Sequence, residues 1–404
     1  MESFEYQIYK WQGVNKHGEV IKGRMGALSP EQVTAQLAHQ NIDVQEIGMQ
    51  SQWLTRINQT SPKTRDIVLF SRQLSTMINA GVPLTRALEI INTGITNLYF
   101  QAIIMNVHLN VSSGETFTAS LAQFPKIFDT LFCNLVKSGE LSGNLGIILE
   151  QLAEYLESVE VLKGRVKKAL FYPIVVLTIA IAISVLLLIF IVPQFEDLFN
   201  NFGKELPAPT RVVLAASAAL AEYWLIAIGI IVVLIIAYMY FKKHSYKFQY
   251  FMDKVKLSMP IFGSLFSKAI LARVMRTLGI TLGSGIPLVQ GIESMAKITG
   301  NHVYTESLLK VKDELISGEH LSYALSGDKA FPNMVVQMIA VGEESGEMEA
   351  MMYKISEYYD EQVKVMVDGL STLIEPIMLV VLGVVIGGFV ISMYLPIFEL
   401  GNAV

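Results

Sequence analysis

The chain has 404 residues, 52% of them hydrophobic and 17% charged, with a mean hydropathy of +0.45. Ordinary globular domains are about 25% charged, so this composition excludes a wholly soluble chain and assigns part of it to lipid. The 31 basic and 36 acidic residues leave −5, which removes the overall attraction of a nucleic-acid binder, and the single Cys133 excludes an internal disulfide.

In chain order, Phe4 to Gly26 alternates like two short strands around the turn Asn15-Lys-His-Gly18. Ser29-Pro-Glu-Gln32 opens a helix, with serine as cap, proline in the first turn and Gln32 at the reciprocal capping-box position. Together these make a small N-terminal α+β domain over residues 1–48, without the apolar core of a signal peptide. A polar linker covers 49–62. Residues 63–172 carry a helical apolar period, with Ile67, Phe70, Leu74, Met77 and Ile78 on one face, and read as a helical-bundle module of about six helices. A first transmembrane helix follows at 173–193, a loop at 194–222 and a second transmembrane helix at 223–241. A second helical-bundle module spans 242–372, a third transmembrane helix 373–395 and a short tail 396–404.

The three spans rest on windows of 19 residues free of charge and histidine: Ile174 to Val192, Tyr223 to Phe241 and Ile377 to Leu395. As helices each reaches ~28 Å, enough for a hydrocarbon core of about 30 Å. Lys163, Arg165, Lys167 and Lys168 precede the first, and Lys242, Lys243, Lys247, Lys254 and Lys256 follow the second. The positive-inside rule places both groups in the cytoplasm. The expected protein is therefore mainly α and multi-pass, with a cytoplasmic N-terminus, two cytoplasmic modules and a C-terminus on the outer side.

The modules repeat one another. Ala80-Gly-Val-Pro-Leu84 matches Ser284-Gly-Ile-Pro-Leu288 at an offset of 204, and at that offset Arg72 matches Arg276 and Glu89 matches Glu293. Ser113-Gly-Glu115 matches Ser317-Gly-Glu319, Phe124-Pro125 pairs with Phe331-Pro332, and Ser142-Gly143 with Ser345-Gly346. Tyr172-Pro173 aligns with Glu375-Pro376, so each unit is a soluble module leading into one span. Gly81-Val-Pro83 and Gly285-Ile-Pro287 punctuate helix ends, since glycine tolerates a left-handed cap and proline starts a helix well.

No enzymatic constellation is legible. There is no GxxxxGKS/T phosphate loop, the six histidines show no HExxH spacing, and no aspartate falls within a span. Gly342-Glu-Glu-Ser-Gly346 has the outline of a serine-nucleophile turn but recurs at Ser142-Gly143 without strand signals, which favours a helix cap. Catalytic residues, metal and cofactor are all expected to be absent. Glu140, Glu343, Glu344 and Glu347 are candidate contacts for a partner's basic patch; the preferred reading is an exposed first helical turn. Arg165, Lys167 and Lys168 are candidates for a partner's carboxylates, against a default role in setting topology. Glu375 sits at the mouth of the third span, where anchoring and function weigh equally, and Pro173 and Pro376 open spans as first-turn or kink residues.

These residues resemble a known family. Arg165-Val-Lys-Lys-Ala-Leu-Phe-Tyr-Pro173, ending across the span at Ile191-Val-Pro193, is similar to the signature of the inner-membrane platform proteins of type IV pilus and type II secretion machines, the PilC/GspF family. Arg72 to Leu84, with Gly81 and Pro83, its copy Arg276 to Leu288, with Gly285 and Pro287, and Gly-Glu-x-Ser-Gly in both units match as well. Phe70-Ser-Arg-Gln-Leu-Ser-Thr-Met77 and Val192-Pro-Gln-Phe-Glu-Asp197 resemble the pilus branch. The resemblance implies a non-enzymatic platform in the bacterial inner membrane, with the C-terminus in the periplasm, and makes Arg72, Gly81, Pro83, Tyr172, Pro173, Pro193, Arg276, Gly285, Pro287, Glu375 and Pro376 motif positions. Its implied partners are a cytoplasmic motor ATPase, pilin subunits, other inner-membrane assembly proteins, the bilayer and further copies of itself, with no nucleic acid. The alternatives are a type II secretion platform and, in another class, a passive scaffold or an oligomeric transporter. A transporter would need more spans or midplane polar residues, and a scaffold leaves the duplication without a reason.

Overall fold

The computed structural model describes residues 7–16, 18–27, 29–39, 42–49, 61–192, 208–260 and 262–401. The chain divides into two compact units, Met1–Val161 with Ile270–Tyr358, and Leu162–Ala269 with Tyr359–Val404.

In the first unit, strands β1 (Gln7–Val14) and β2 (Val20–Ala27) form a hairpin, followed by helix α1 (Pro30–His39) and strand β3 (Asp43–Met49). The antiparallel sheet runs β2-β1-β3. At the turn, Gly18 takes a positive φ of 78° and Asn15 Oδ1 accepts from Glu19 N at 3.0 Å. Tyr9 and Met25 pack with Val33 and Leu37 of α1. β3 is a strand that the sequence reading does not anticipate. It lies at the sheet edge with most side chains exposed, so its alternation of apolar and polar residues is weak.

Six helices follow: α2 (Thr64–Asn79), α3 (Leu84–Gly94), α4 (Leu98–Ser112), α5 (Phe117–Ala122), α6 (Thr130–Ser142) and α7 (Leu145–Leu186), the last extended by a π-helical turn at Leu187–Ile191. Beyond α8 (Ala208–His244) and α9 (Tyr246–Ser258), the same order returns as α10 (Phe262–Gly283), α11 (Leu288–Ile298), α12 (His302–Ile316), α13 (Leu321–Ser326), α14 (Asn333–Ser345) and α15 (Met348–Gly401). The starts of α3, α4 and α5 recur 204 residues later, and those of α6 and α7 recur after 203. The helical repeat thus corrects one pairing: the counterpart of Phe331-Pro332 is Phe128-Asp129, not Phe124-Pro125. Asp129 and Pro332 are both N-caps, and Phe128 and Phe331 are both buried just before them.

The first-module core is built on Phe70, Phe100 and Phe128, whose ring centroids lie 5.7 to 6.3 Å apart, and on Phe132, 5.0 Å from Phe128. Burying each such side chain stabilises by about 1.5–3 kcal/mol. Tyr304 replaces Phe100 in the second module, packs edge-on against Phe331 at 6.1 Å, and donates its hydroxyl to Ala330 O at 3.2 Å. The two modules share this unit: Ile280 and Ile286 join the first-module core, and Asn134 Nδ2 donates to Ser294 Oγ at 2.9 Å. The N-terminal sheet joins through Ile8, which packs on Ala102 of α4.

In the second unit, Leu265, Val363 and Val367 form a small core with Leu162 and Val166. Among the described residues, Ile174–Ile191 is one helical stretch long and apolar enough to cross a membrane, with a mean hydropathy of 3.3. The other two apolar windows lie inside α8 and α15. Large side chains along them, such as Leu225, Val233, Leu379 and Val384, are exposed. Several boundaries differ from the sequence reading. Residues 208–222, expected in a loop, are helical, and α15 continues through 396–401. Pro173 and Pro376 do not open helices but sit deep inside α7 and α15, which continue through them although proline supplies no N–H.

Candidate functional site

In each module an arginine ties the first helix to the last. Arg72 on α2 donates through Nη2 to Glu157 Oε2 on α7 at 2.8 Å, with Glu154 at 3.9 Å. Ser75 Oγ donates to the backbone oxygen of Gly146 at 3.0 Å, and a Cβ on Gly146 would collide with Asn79 Oδ1. This glycine lets α2 and α7 approach closely. In the second module Arg276 Nε donates to Ser356 Oγ at 3.0 Å, joining α10 to α15. Both arginines therefore brace the long helices that carry the apolar stretches.

Glu140 and Glu343 have a different geometry from the expected first turn, whereas Glu347 directly precedes α15 and its backbone oxygen accepts from Met351 N at 3.1 Å. Glu140 lies near the C-terminal end of α6 and reaches back to the start of α5. Its carboxylate accepts from Phe117 N at 2.6 Å, from Thr118 N at 3.1 Å and from Thr118 Oγ1 at 2.7 Å. Glu343, near the end of α14, does the same for α13, accepting from Leu321 N at 2.6 Å, Ser322 N at 3.0 Å and Ser322 Oγ at 2.5 Å. A helix N-terminus presents unsatisfied N–H groups and partial positive charge, which a carboxylate meets well. Burial works against the Glu343 carboxylate, but the Ser322 hydroxyl, the two backbone N–H groups and nearby His320 outweigh it and hold its pKa below the usual 4.5. Glu344 and Glu347 are exposed.

Helix punctuation repeats as the motif implies. Gly81 and Gly285 take φ of +81° and +74°. Gly81 N donates to Ile78 O and Val82 N to Met77 O, closing the end of α2, and Gly285 N and Ile286 N close α10 in the same way. Pro83 and Pro287 cap the next helices with φ of −56° and −54°. A further pair escaped the sequence reading: Asn97 and Asn301 cap α4 and α12, each accepting two backbone N–H groups at 3.0 to 3.3 Å. Their separation is also 204, and that identity was the signal.

Arg165, Lys167, Lys168 and Tyr172 are exposed along α7, and Pro376 along α15. Pro173 and Glu375 are described for their helical backbone, while Pro193 lies outside the described residues. Among the described residues, no group of three or more His, Cys, Asp or Glu stands ready to hold a metal ion. Burial, with the Asp129 charge, pushes the Cys133 thiol up to about 11, so it stays protonated at neutral pH and is a poor nucleophile. The arrangement thus provides bracing between helices in duplicate.

The family model described as type II secretion system protein F matches the chain twice, over residues 70–193 and 274–396. The model of that protein's N-terminal domain matches residues 1–48. The type IV pilus assembly protein TapC of Aeromonas hydrophila is 38% identical over 396 residues, covering 98% of this chain and 96% of its own. The type IV pilus assembly protein PilC of Pseudomonas aeruginosa is 42% identical over 342 residues, covering 85% and 91%. The type II secretion system protein F of Vibrio cholerae is 28% identical over 410 residues, covering 100% and 99%.

Proposed function

The chain belongs to the type II secretion system protein F family, and from that premise we propose that it is the inner-membrane platform of a type IV pilus machine. It couples a cytoplasmic motor ATPase to the extraction of pilin subunits from the bilayer and their assembly into a filament. The observation that carries the pilus assignment is the gradient of similarity: relatives named for type IV pilus assembly are 33 to 42% identical, while those named for type II secretion or protein transport are 27 to 30%.

The domain plan of this reading is the one the apolar windows and basic flanks support: three spans, with both modules and the N-terminal domain in the cytoplasm. Exposed apolar side chains along Ile174–Ile191 favour lipid over a protein partner there. The bracing by Arg72 and Arg276 supports a mechanical role, since a displacement of a module's first helix is carried into the long helix that enters the membrane. Arg165, Lys167 and Lys168, with the exposed Glu344 and Glu347, are the proposed contacts for partners and lipid headgroups. The second reading, a type II secretion platform, is favoured by the description of the family model itself.

Deleting the gene in its host and counting surface pili by electron microscopy, while assaying secreted proteins in the medium, separates the two. Loss of pili with intact secretion is expected; intact pili with lost secretion would transfer the protein to the secretion branch.

A further inference from the structure

The two modules meet through unlike faces, so the fold uses one face of each and leaves its repeat counterpart over. The first module contributes α6 and α7 to the contact, and the second contributes α10 and α11. Asn134 faces Ser294, Ser138 Oγ donates to the backbone oxygen of Ser284, and Tyr155 lies beside Thr277 and Arg273. Thr277, Ser294 and Tyr155 are buried there.

The repeat offset of 204 transfers Arg273, Thr277, Ser284 and Ser294 onto Leu69, Gln73, Ala80 and Ile90 of α2, α3 and the turn between them. All four are exposed, Leu69 at 57% and Ile90 at 40%. The offset of 203 transfers Asn134, Ser138 and Tyr155 onto Gln337, Val341 and Tyr358 of α14 and α15, also exposed, Val341 at 53%. Three of the seven positions change from polar to large apolar side chains: Arg273, Ser294 and Ser138 of the contact correspond to the exposed Leu69, Ile90 and Val341, while Gln73, Gln337 and Tyr358 keep polar groups. Apolar side chains on helix faces that otherwise match a protein–protein contact mark an interaction surface.

We propose that these two faces bind each other between copies of this chain: α14–α15 of one copy docks on α2–α3 of the next, as α6–α7 docks on α10–α11 within each copy. A second copy is the occupant because each exposed face is the structural counterpart of a surface whose complement the same chain already carries. The contact joins unlike faces, so it propagates head to tail and either closes as a ring or continues as a row, unlike a two-fold dimer. This holds whichever machine the protein serves.

The test is disulfide trapping of the full chain in isolated host membranes, with two differently tagged copies co-expressed. One copy carries Ile90→Cys and the other Gln337→Cys, the counterparts of Ser294 and Asn134; Ala80→Cys with Val341→Cys provides a second pair. Native Cys133 is retained, because its half-buried, protonated thiol does not compete. At least one pair is expected to give a mixed-tag dimer in several-fold excess over both same-tag dimers. Same-tag dimers at equal or higher yield, or no mixed dimer from either pair, would overturn the proposal. The readout is taken from membranes whether or not pili form, so it stands or fails apart from the functional assignment.

Discussion

A carboxylate held by two backbone N–H groups and a hydroxyl is a strong local constraint, and Glu343 offers the clearest measure of it. In Glu343→Gln one acceptor oxygen becomes an NH2 group facing a donor, so about 1–3 kcal/mol of stability is lost at neutral pH. The folded-state pKa lies below the unfolded one, so the carboxylate's contribution is fully present above about 4.5 and is lost as pH falls through the folded value. Chemical unfolding of wild type and variant is expected to differ at pH 7 and to converge at strongly acidic pH. That Glu140 and Glu343 are special was legible from the duplicated Gly-Glu-x-Ser-Gly. Their task was not, because each carboxylate serves a helix more than 20 residues earlier in the chain. The sequence reading looked for the dipole of the helix nearest to the acidic residues.

Helix ends were far more legible, since their rules are local. Gly81-Val-Pro83 and Gly285-Ile-Pro287 end one helix and start the next as their residue types require. At Gly81 nothing lies within 4 Å of a would-be Cβ, so Gly81→Ala meets no steric block but is forced into the left-handed region at φ +81°. The expected cost is about 1–2 kcal/mol, with a similar loss for Gly285→Ala, both measurable as a lowered unfolding midpoint. Arginine at position 72 belongs to another class. Its ion pair with Glu157 is solvent-accessible on both sides, so its contribution to stability is about 1 kcal/mol or less. Elements were misjudged where local signals are weak or ambiguous. β3 is an edge strand with little alternation, and of the two readings for Pro173 and Pro376, first-turn or kink residue, the first fails because α7 and α15 run on through them.

At the scale of the whole molecule, the contact between modules depends on small buried side chains. Thr277→Arg places a charge at a fully buried position between α10 and α7, and is expected to cost several kcal/mol by separating the modules. Gln73→Arg, at the repeat-equivalent but exposed position, is expected to leave folding unchanged within about 0.5 kcal/mol. Limited proteolysis of the full chain distinguishes them: rapid cleavage between α7 and α10 is expected for the first and a wild-type pattern for the second. The duplication, the helical character of each copy, the polar helix boundaries and the apolar windows were determined by the sequence alone, because each is written in neighbouring residues or in a constant offset between two stretches. Only the tertiary structure decided which of two similar faces each module buries and where the acidic side chains point. Two copies of one module carry the same local pattern, and what distinguishes a buried face from an exposed one is packing between residues up to 160 positions apart.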